Sequence, residues 1–198
     1  LDVGLYRELL SELNIKVPEL PVQITTEAVG KFSPEEQFEV VKLVQPEAAS
    51  VALIEMMPNI KDPRLAQNFY NFAIENNVQI QHILYSVEDL KLFKKAIELK
   101  VIPKKNLQVL YVLGRYDKNF QSKKEDLDLF LEEHQNIISE IDWGICAFGR
   151  AETDCLIKSN LHGGKVRVGF ENNFYNQNGT VASSNAERVA EVSKLINA

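Results

Sequence analysis

Two hydrophobic periods alternate along the whole chain, and this alternation limits the fold more than any other feature. LPVQIT (20–25), ASVALI (49–54), VQIQHILY (78–85), NLQVLYVL (106–113), WGICAF (143–148) and KVRVGF (165–170) are short apolar runs of the kind that form buried strands. Longer stretches with helical spacing lie between them. Ser33-Pro34-Glu35-Glu36 reads as a capping box with proline at the first helical position, and Asp62-Pro63 starts the next helix in the same way. Ser184-Asn185-Ala186-Glu187 is a second capping box. Further helices fit 86–99, 123–137 and 150–162, and Gly163-Gly164 follows the last where a C-cap belongs. Strand starts recur about every 30 residues, the length of a βα unit, and no residue pattern recurs with them. The 198 residues therefore read as one domain, 1–198, of parallel α/β type.

Composition removes several classes of function. A net charge of −6 argues against general nucleic-acid binding, which needs a basic surface, but leaves room for an anionic substrate in a local basic pocket. No apolar run reaches the roughly 18 residues of a membrane helix, and no signal-peptide pattern is present. Cys146 and Cys155 each read as small buried apolar residues, so a reduced, cytoplasmic location is the simplest expectation.

Counting the elements gives six strands but seven helices, because VGLYRELLSELN (3–14) precedes the first strand. An alternating parallel chain should begin with a strand. Two architectures remain: an open doubly wound sheet, or a (β/α)8 TIM barrel lacking its first βα unit and second strand. The Gly-rich fingerprint that follows the first strand of a dinucleotide-binding sheet is absent, which favours the barrel.

The last strand pattern is unusual. In VRVGFE, alternation puts Val166, Val168 and Phe170 on one face and Arg167, Gly169 and Glu171 on the other. A guanidinium and a carboxylate on one strand face suit either an ion pair closing the mouth of a barrel or a binding site for an anion.

VRVGFENNFY, followed by NGTVASSNAERV (178–189), resembles the signature of the β-keto acid cleavage enzymes, including the 3-keto-5-aminohexanoate cleavage enzymes. DVGLYRELL, VQITTEAVGKFSPEE, VQPEAASVAL, LQVLYVLG and WGICAFGRAE are similar to that family's segments and come in the family's order. The resemblance implies a zinc-dependent (β/α)8 barrel that condenses a β-keto acid with acetyl-CoA, giving acetoacetate and a new CoA ester. It implies these small-molecule partners and a homo-oligomer, with neither nucleic acid nor membrane as partner.

By the same resemblance, Glu171 is a metal ligand, and Arg167 stabilises negative charge and positions the acidic group beside it. A carboxylate suits zinc, and a guanidinium can hold a substrate carboxylate with two hydrogen bonds. Asn172 stands where the family has a proton-transferring aspartate; an amide can hold the same hydrogen bonds but has no proton to exchange at neutral pH. Thr25 and Thr26 occupy a substrate-contacting turn that is usually Ser/Thr-Thr-Gly-Gly, so hydroxyls remain and glycines do not. The family's H-x-H zinc ligands have no counterpart, since His82, His134 and His162 are far apart. Taken alone, His82 reads as a core histidine, His162 as a helix C-terminal residue, Met56-Met57 as core filler and Trp143 as core; Arg150 reads as a rim charge that could meet a phosphate. The departures leave a second expectation, a diverged non-catalytic barrel binding a small carboxylate or CoA-like ligand.

Overall fold

A computed structural model describes residues 1–137 and 140–197. The chain divides into two compact units, Leu1–Ile83 with Leu92–Gln108, and Leu84–Lys91 with Val109–Ala198.

The first unit opens with α1 (Val3–Lys16), whose N-terminus is capped by Asp2 accepting from the Leu5 N–H at 3.0 Å. The short strand β1 (Gln23–Thr25) leads to α2 (Pro34–Val44), and here the expected capping box is complete. Ser33 Oγ accepts from the Glu36 N–H, and Glu36 Oε2 accepts from the Ser33 N–H at 2.7 Å. Strand β2 (Ala48–Ala52) runs parallel to β1 with Thr25 opposite Ser50, and passes directly into the one-turn helix α3 (Leu53–Met56). This turn is why the apolar run 49–54 ends as a strand at Ala52, and it makes eight helices among the described residues where the sequence suggests seven. Helix α4 (Arg64–Glu75) follows. Pro63 is its N-cap, while Asp62 grips Arg64 through bonds of 2.7 and 2.8 Å, so the aspartate cap expected there is replaced by a local ion pair. Strand β3 (Gln79–Leu84) is parallel to β2. Phe38 of α2 meets Phe69 and Phe72 of α4 edge-on at 5.6 Å, and Val41, Val51 and Phe69 form the fully buried centre of this unit.

Helix α5 (Val87–Glu98) and β4 (Leu107–Leu113), like β3, contribute residues to both units. The second unit continues through α6 (Asp126–His134), β5 (Ile141–Ala147), α7 (Glu152–Leu161), β6 (Lys165–Val166) and α8 (Asn185–Ile196). β6 is parallel to β5, and α7 packs on β5, β6 and α8. Gly164 lets β6 start close to β5, because a Cβ there would lie 2.3 Å from the Trp143 ring.

All six strands lie in one sheet, in the order in which they occur in the chain. A doubly wound sheet reverses its strand order at a switch point, whereas a barrel keeps chain neighbours as sheet neighbours. The order therefore fits part of a (β/α)8 barrel and not a doubly wound sheet. Six strands do not by themselves show a closed barrel.

The second capping box takes a modified form. Ser184 Oγ accepts from the Glu187 N–H at 3.2 Å, but the Glu187 carboxylate reaches one residue further back, accepting from the Ser183 N–H at 2.8 Å and hydroxyl at 2.5 Å. Asn176 Nδ2 donates to its other oxygen at 2.6 Å. These hydrogen bonds pull the Glu187 carboxyl down from 4.5 to about 2. A folded-state pKa below the unfolded one adds stability above the unfolded value and loses it as pH falls through the folded one. We expect Glu187→Gln to lower the urea midpoint at pH 6, with the difference from the parent protein shrinking as pH falls from 4.5 toward 2. Urea titrations across that range check it, and a pH-independent difference counts against it.

Candidate active site

The candidate site in the second unit grows from the place where β6 stops. The Arg167 N–H still bonds the Ile145 carbonyl at 2.8 Å, but the N–H groups of Asn172 and Asn173 both turn back to the Gly169 carbonyl, at 2.9 and 3.2 Å. The strand expected over 165–170 is thus two residues long and gives way to a turn. Strand alternation does not carry Arg167 and Glu171 onto a common face; the turn does, because residues four apart meet across it.

Arg167 is the hub of this turn. Its guanidinium lies 3.3 Å from Glu171 Oε2 and donates to Asn172 Oδ1 at 3.3 Å. Cys146 is buried, and burial pushes its thiol pKa up to about 11. Glu171 is exposed, whereas Asn172 and Asn173 are buried. Asn172 Nδ2 has no partner among the described residues. Beside the turn, Gly149 adopts φ +87°, which carries the chain from β5 towards α7, and its N–H bonds the Asn172 carbonyl at 3.0 Å. The next residue, Arg150, is exposed and lays its guanidinium on the Tyr175 ring at 3.7 Å.

Behind the turn sits a buried ion pair that sequence reasoning missed. Arg188 of α8 and Glu152 of α7 are both fully buried and bonded at 2.7 Å. Arg188 also donates to Thr153 Oγ1 at 3.0 Å and to Glu191. Glu152 accepts from Asn173 Nδ2 at 3.1 Å. Burial pushes the Glu152 carboxyl upward, against the pull of Arg188 and Asn173. A signal for the pair was present: Glu152, Cys155, Leu156 and Ser159 form the buried stripe of α7 at helical spacing, as Arg188 and Val192 do in α8.

The first unit holds the two threonines. Thr25 is exposed at the end of β1; its carbonyl accepts from the Tyr6 hydroxyl at 2.8 Å and its Oγ1 from the Glu27 N–H at 3.2 Å. Thr26 is fully buried, and its hydroxyl donates to the Ser50 carbonyl at 2.9 Å. Glu55, which follows β2, accepts from the Ala28 N–H at 3.0 Å and from Gln37 Nε2 at 2.8 Å, so it fastens the loop after β1.

The beta-keto acid cleavage enzyme family model matches residues 1–198. The chain belongs to that family. It is also similar to the 3-keto-5-aminohexanoate cleavage enzyme of Acetoanaerobium sticklandii, with 40% identity over 60 residues, 30% of this chain and 22% of that protein. The chain thus aligns with about a fifth of the length of that curated relative.

Family membership raises the question of a metal. Among the described residues no three His, Cys, Asp or Glu side chains gather to hold one. Glu171's partner is a cation, Arg167. His82 is buried, His134 Nδ1 bonds the Tyr111 hydroxyl at 2.6 Å, and His162 is the exposed C-cap of α7. One carboxylate falls short of the three protein ligands of a catalytic zinc site, so these residues do not fit zinc by themselves. Met56 and Met57 are core, Trp143 is half-buried against Tyr111 and His134, and both cysteines are buried and free. No helix among the described residues is long and apolar enough to cross a membrane.

Breaking the buried pair tests its role. Arg188→Met leaves Glu152 charged and uncompensated in the interior, which typically costs about 3–5 kcal/mol. The double variant Arg188→Met/Glu152→Leu should lose less than the single one, as read from urea unfolding. A double variant as unstable as the sum of both singles would mean the two side chains act independently.

Proposed function

We propose that this family member cleaves a β-keto acid against acetyl-CoA. The acid, R–CO–CH2–COO⁻, gives up its carboxymethyl group to the acetyl carbon, yielding acetoacetate and R–CO–CoA. Family membership supports the reaction class, and the Arg167 cluster is the observation that supports it within this chain.

The ion pair between Arg167 and Glu171 sits in partly exposed surroundings, with side-chain exposures of 39% and 65%. Such pairs contribute roughly 0–1 kcal/mol. An incoming carboxylate that takes two parallel N–H donors from a guanidinium can therefore displace Glu171 at little cost. In this reading Arg167 holds the acid's carboxylate and stabilises the negative charge that develops as the carbon–carbon bond breaks. Asn172 keeps the guanidinium in place through Oδ1. The Thr25 hydroxyl accepts from Glu27 and still has its proton to donate. The Thr26 hydroxyl donates to the Ser50 carbonyl, and the family analogy assigns it, like Thr25, to substrate binding.

Zinc dependence, a homo-oligomer and a cytoplasmic setting complete the proposal by family analogy. Glu171 is the zinc ligand that this analogy assigns here; we assign no other and route no step through the metal. The second reading, a carboxylate-binding relative without turnover, draws on Asn172, which lacks the proton a general acid–base step needs.

The test is acetoacetate formation from a panel of β-keto acids and acetyl-CoA. Arg167→Ala should abolish it. Asn172→Asp should raise it by about 10²–10⁴-fold where proton transfer limits the rate. No turnover by either the parent or Asn172→Asp would favour the non-catalytic reading, and turnover indifferent to both substitutions would place the active site elsewhere.

A further inference from the structure

Asn178-Gly179 is the only Asn-Gly step in the 198 residues. It forms the tip of a small hairpin in the second unit, closed by a bridge between Tyr175 and Val181 and by the Asn176 N–H donating to the Thr180 carbonyl at 2.8 Å. Gly179 adopts φ +86°, and a Cβ built on it would meet nothing within 4 Å. Both residues are exposed. The Asn178 side chain is held in one orientation, since its Oδ1 accepts from the Thr180 N–H at 3.0 Å and from the Thr180 hydroxyl at 2.7 Å. Two donors within about 2.7–3.1 Å of one carbonyl oxygen are the arrangement that stabilises an oxyanion when the carbonyl carbon is attacked.

The nucleophile next to that carbonyl is the Gly179 nitrogen, which closes a five-membered ring on Cγ, and the missing Cβ keeps its approach open. We propose that Asn178 is a self-modifying site at which Thr180 assists deamidation. The Gly179 nitrogen forms a bond to Cγ, the charge that develops on Oδ1 is held by both Thr180 donors, and the Cγ–Nδ2 bond breaks. Nδ2 leaves as ammonia with the proton of the Gly179 N–H. Water then opens the cyclic imide: hydrolysis at Cγ gives aspartate, and hydrolysis at the main-chain carbonyl gives isoaspartate. One water is consumed and one ammonia released, with no change of oxidation state. One contact opposes the attack, the Gly179 N–H donating to the Asn176 carbonyl at 2.9 Å. Opening a turn bond of this kind costs about fivefold in rate, and a donor on Oδ1 returns about as much. The two products differ in effect. Aspartate keeps both Thr180 bonds. Isoaspartate adds a methylene to the main chain just after Gln177, whose N–H is held by the Glu191 carboxylate at 3.1 and 3.2 Å, and so slackens the hairpin's tie to α8. This chemistry is independent of any turnover at the Arg167 turn.

The test incubates the folded 198-residue chain in mildly alkaline buffer and follows the peptide 168–188, released by cutting after Arg167 and Arg188, by mass spectrometry. We expect a form one mass unit heavier, placed at Asn178 by fragmentation and methylated by a protein-isoaspartate methyltransferase. Its rate in the folded chain should lie within about tenfold of that in the urea-unfolded chain. Thr180→Val keeps the side-chain shape and loses the hydroxyl donor, so it should slow the reaction about fivefold, whereas Thr180→Ser should hold the parent rate. Conversion confined to other asparagines, a folded chain slower than the unfolded one by more than about tenfold, or an unchanged rate in Thr180→Val would overturn the proposal. Should Thr180→Val fail to fold, the parent's folded-to-unfolded ratio and the Thr180→Ser rate still decide.

Discussion

The turn at the end of β6 is anchored from within by the buried ion pair between Arg188 and Glu152, through Asn173. Two opposite charges with no solvent exposure are costly to bury, and the cost is met only when their remaining hydrogen-bonding capacity is used. Here it is met in part: Glu152 Oε2 takes Arg188 and Asn173, and Arg188 also takes Thr153 and Glu191, while Glu152 Oε1 and Arg188 Nε have no partner among the described residues. Glu152 draws in Asn173 Nδ2, at the end of the turn that carries Glu171 and Asn172. α8 adds a second clamp through Asn185 Oδ1, which accepts from the Phe170 N–H at 2.8 Å. The turn is therefore held from beneath by α7 and from its side by α8. Arg167, at its start, inherits a fixed position.

This division of labour assigns different work to similar residues. Glu152 and Glu171 are both glutamates paired with arginines. The buried one cannot lose its partner without leaving an uncompensated charge, whereas the exposed one can exchange its partner for another anion at little cost. Asn172 and Asn173 divide in the same way. Asn173 has both ends of its amide engaged, with Glu152, the Tyr175 carbonyl and the Tyr175 N–H, and so belongs to the scaffold. Asn172 has its oxygen engaged and its nitrogen unpartnered among the described residues. Of the two asparagines, Asn172 is the one with a hydrogen bond left to make among the described residues.

The fold was legible because the signals that create it are local. The Ser33 capping box and the apolar runs at 78–85 and 106–113 each state their element within a few residues, and the observed strands β3 and β4 match those runs to within one residue at either end. The errors fall where a tertiary contact outweighs local preference. KVRVGF has strand composition throughout, yet it stops pairing after Arg167, where the Gly169 carbonyl takes the N–H groups of Asn172 and Asn173 instead of a neighbouring strand. Asp62 looked like a cap and became the partner of Arg64. The site was half legible. Motif resemblance picked out Arg167, Glu171 and Asn172, which do meet. The buried pair that positions them joins residues 36 apart in sequence, and no local pattern links Glu152 with Arg188.

His82 shows the limit of reading a residue from its surroundings alone. An apolar strand predicts a buried histidine, and it is buried, between Tyr70 and Phe93 with centroid distances of 5.4 and 4.8 Å. Packing of that kind explains a ring but not an imidazole: phenylalanine would stack as well and would avoid burying an unpaired Nε2, a desolvation cost of about 1–3 kcal/mol. The Gln108 bond recovers part of this through Nδ1 and at the same time fixes the tautomer that leaves Nε2 bare. In barrels the strand starts ordinarily serve stability and the strand ends serve chemistry. His82, packed between Tyr70 and Phe93, belongs to the stabilising side.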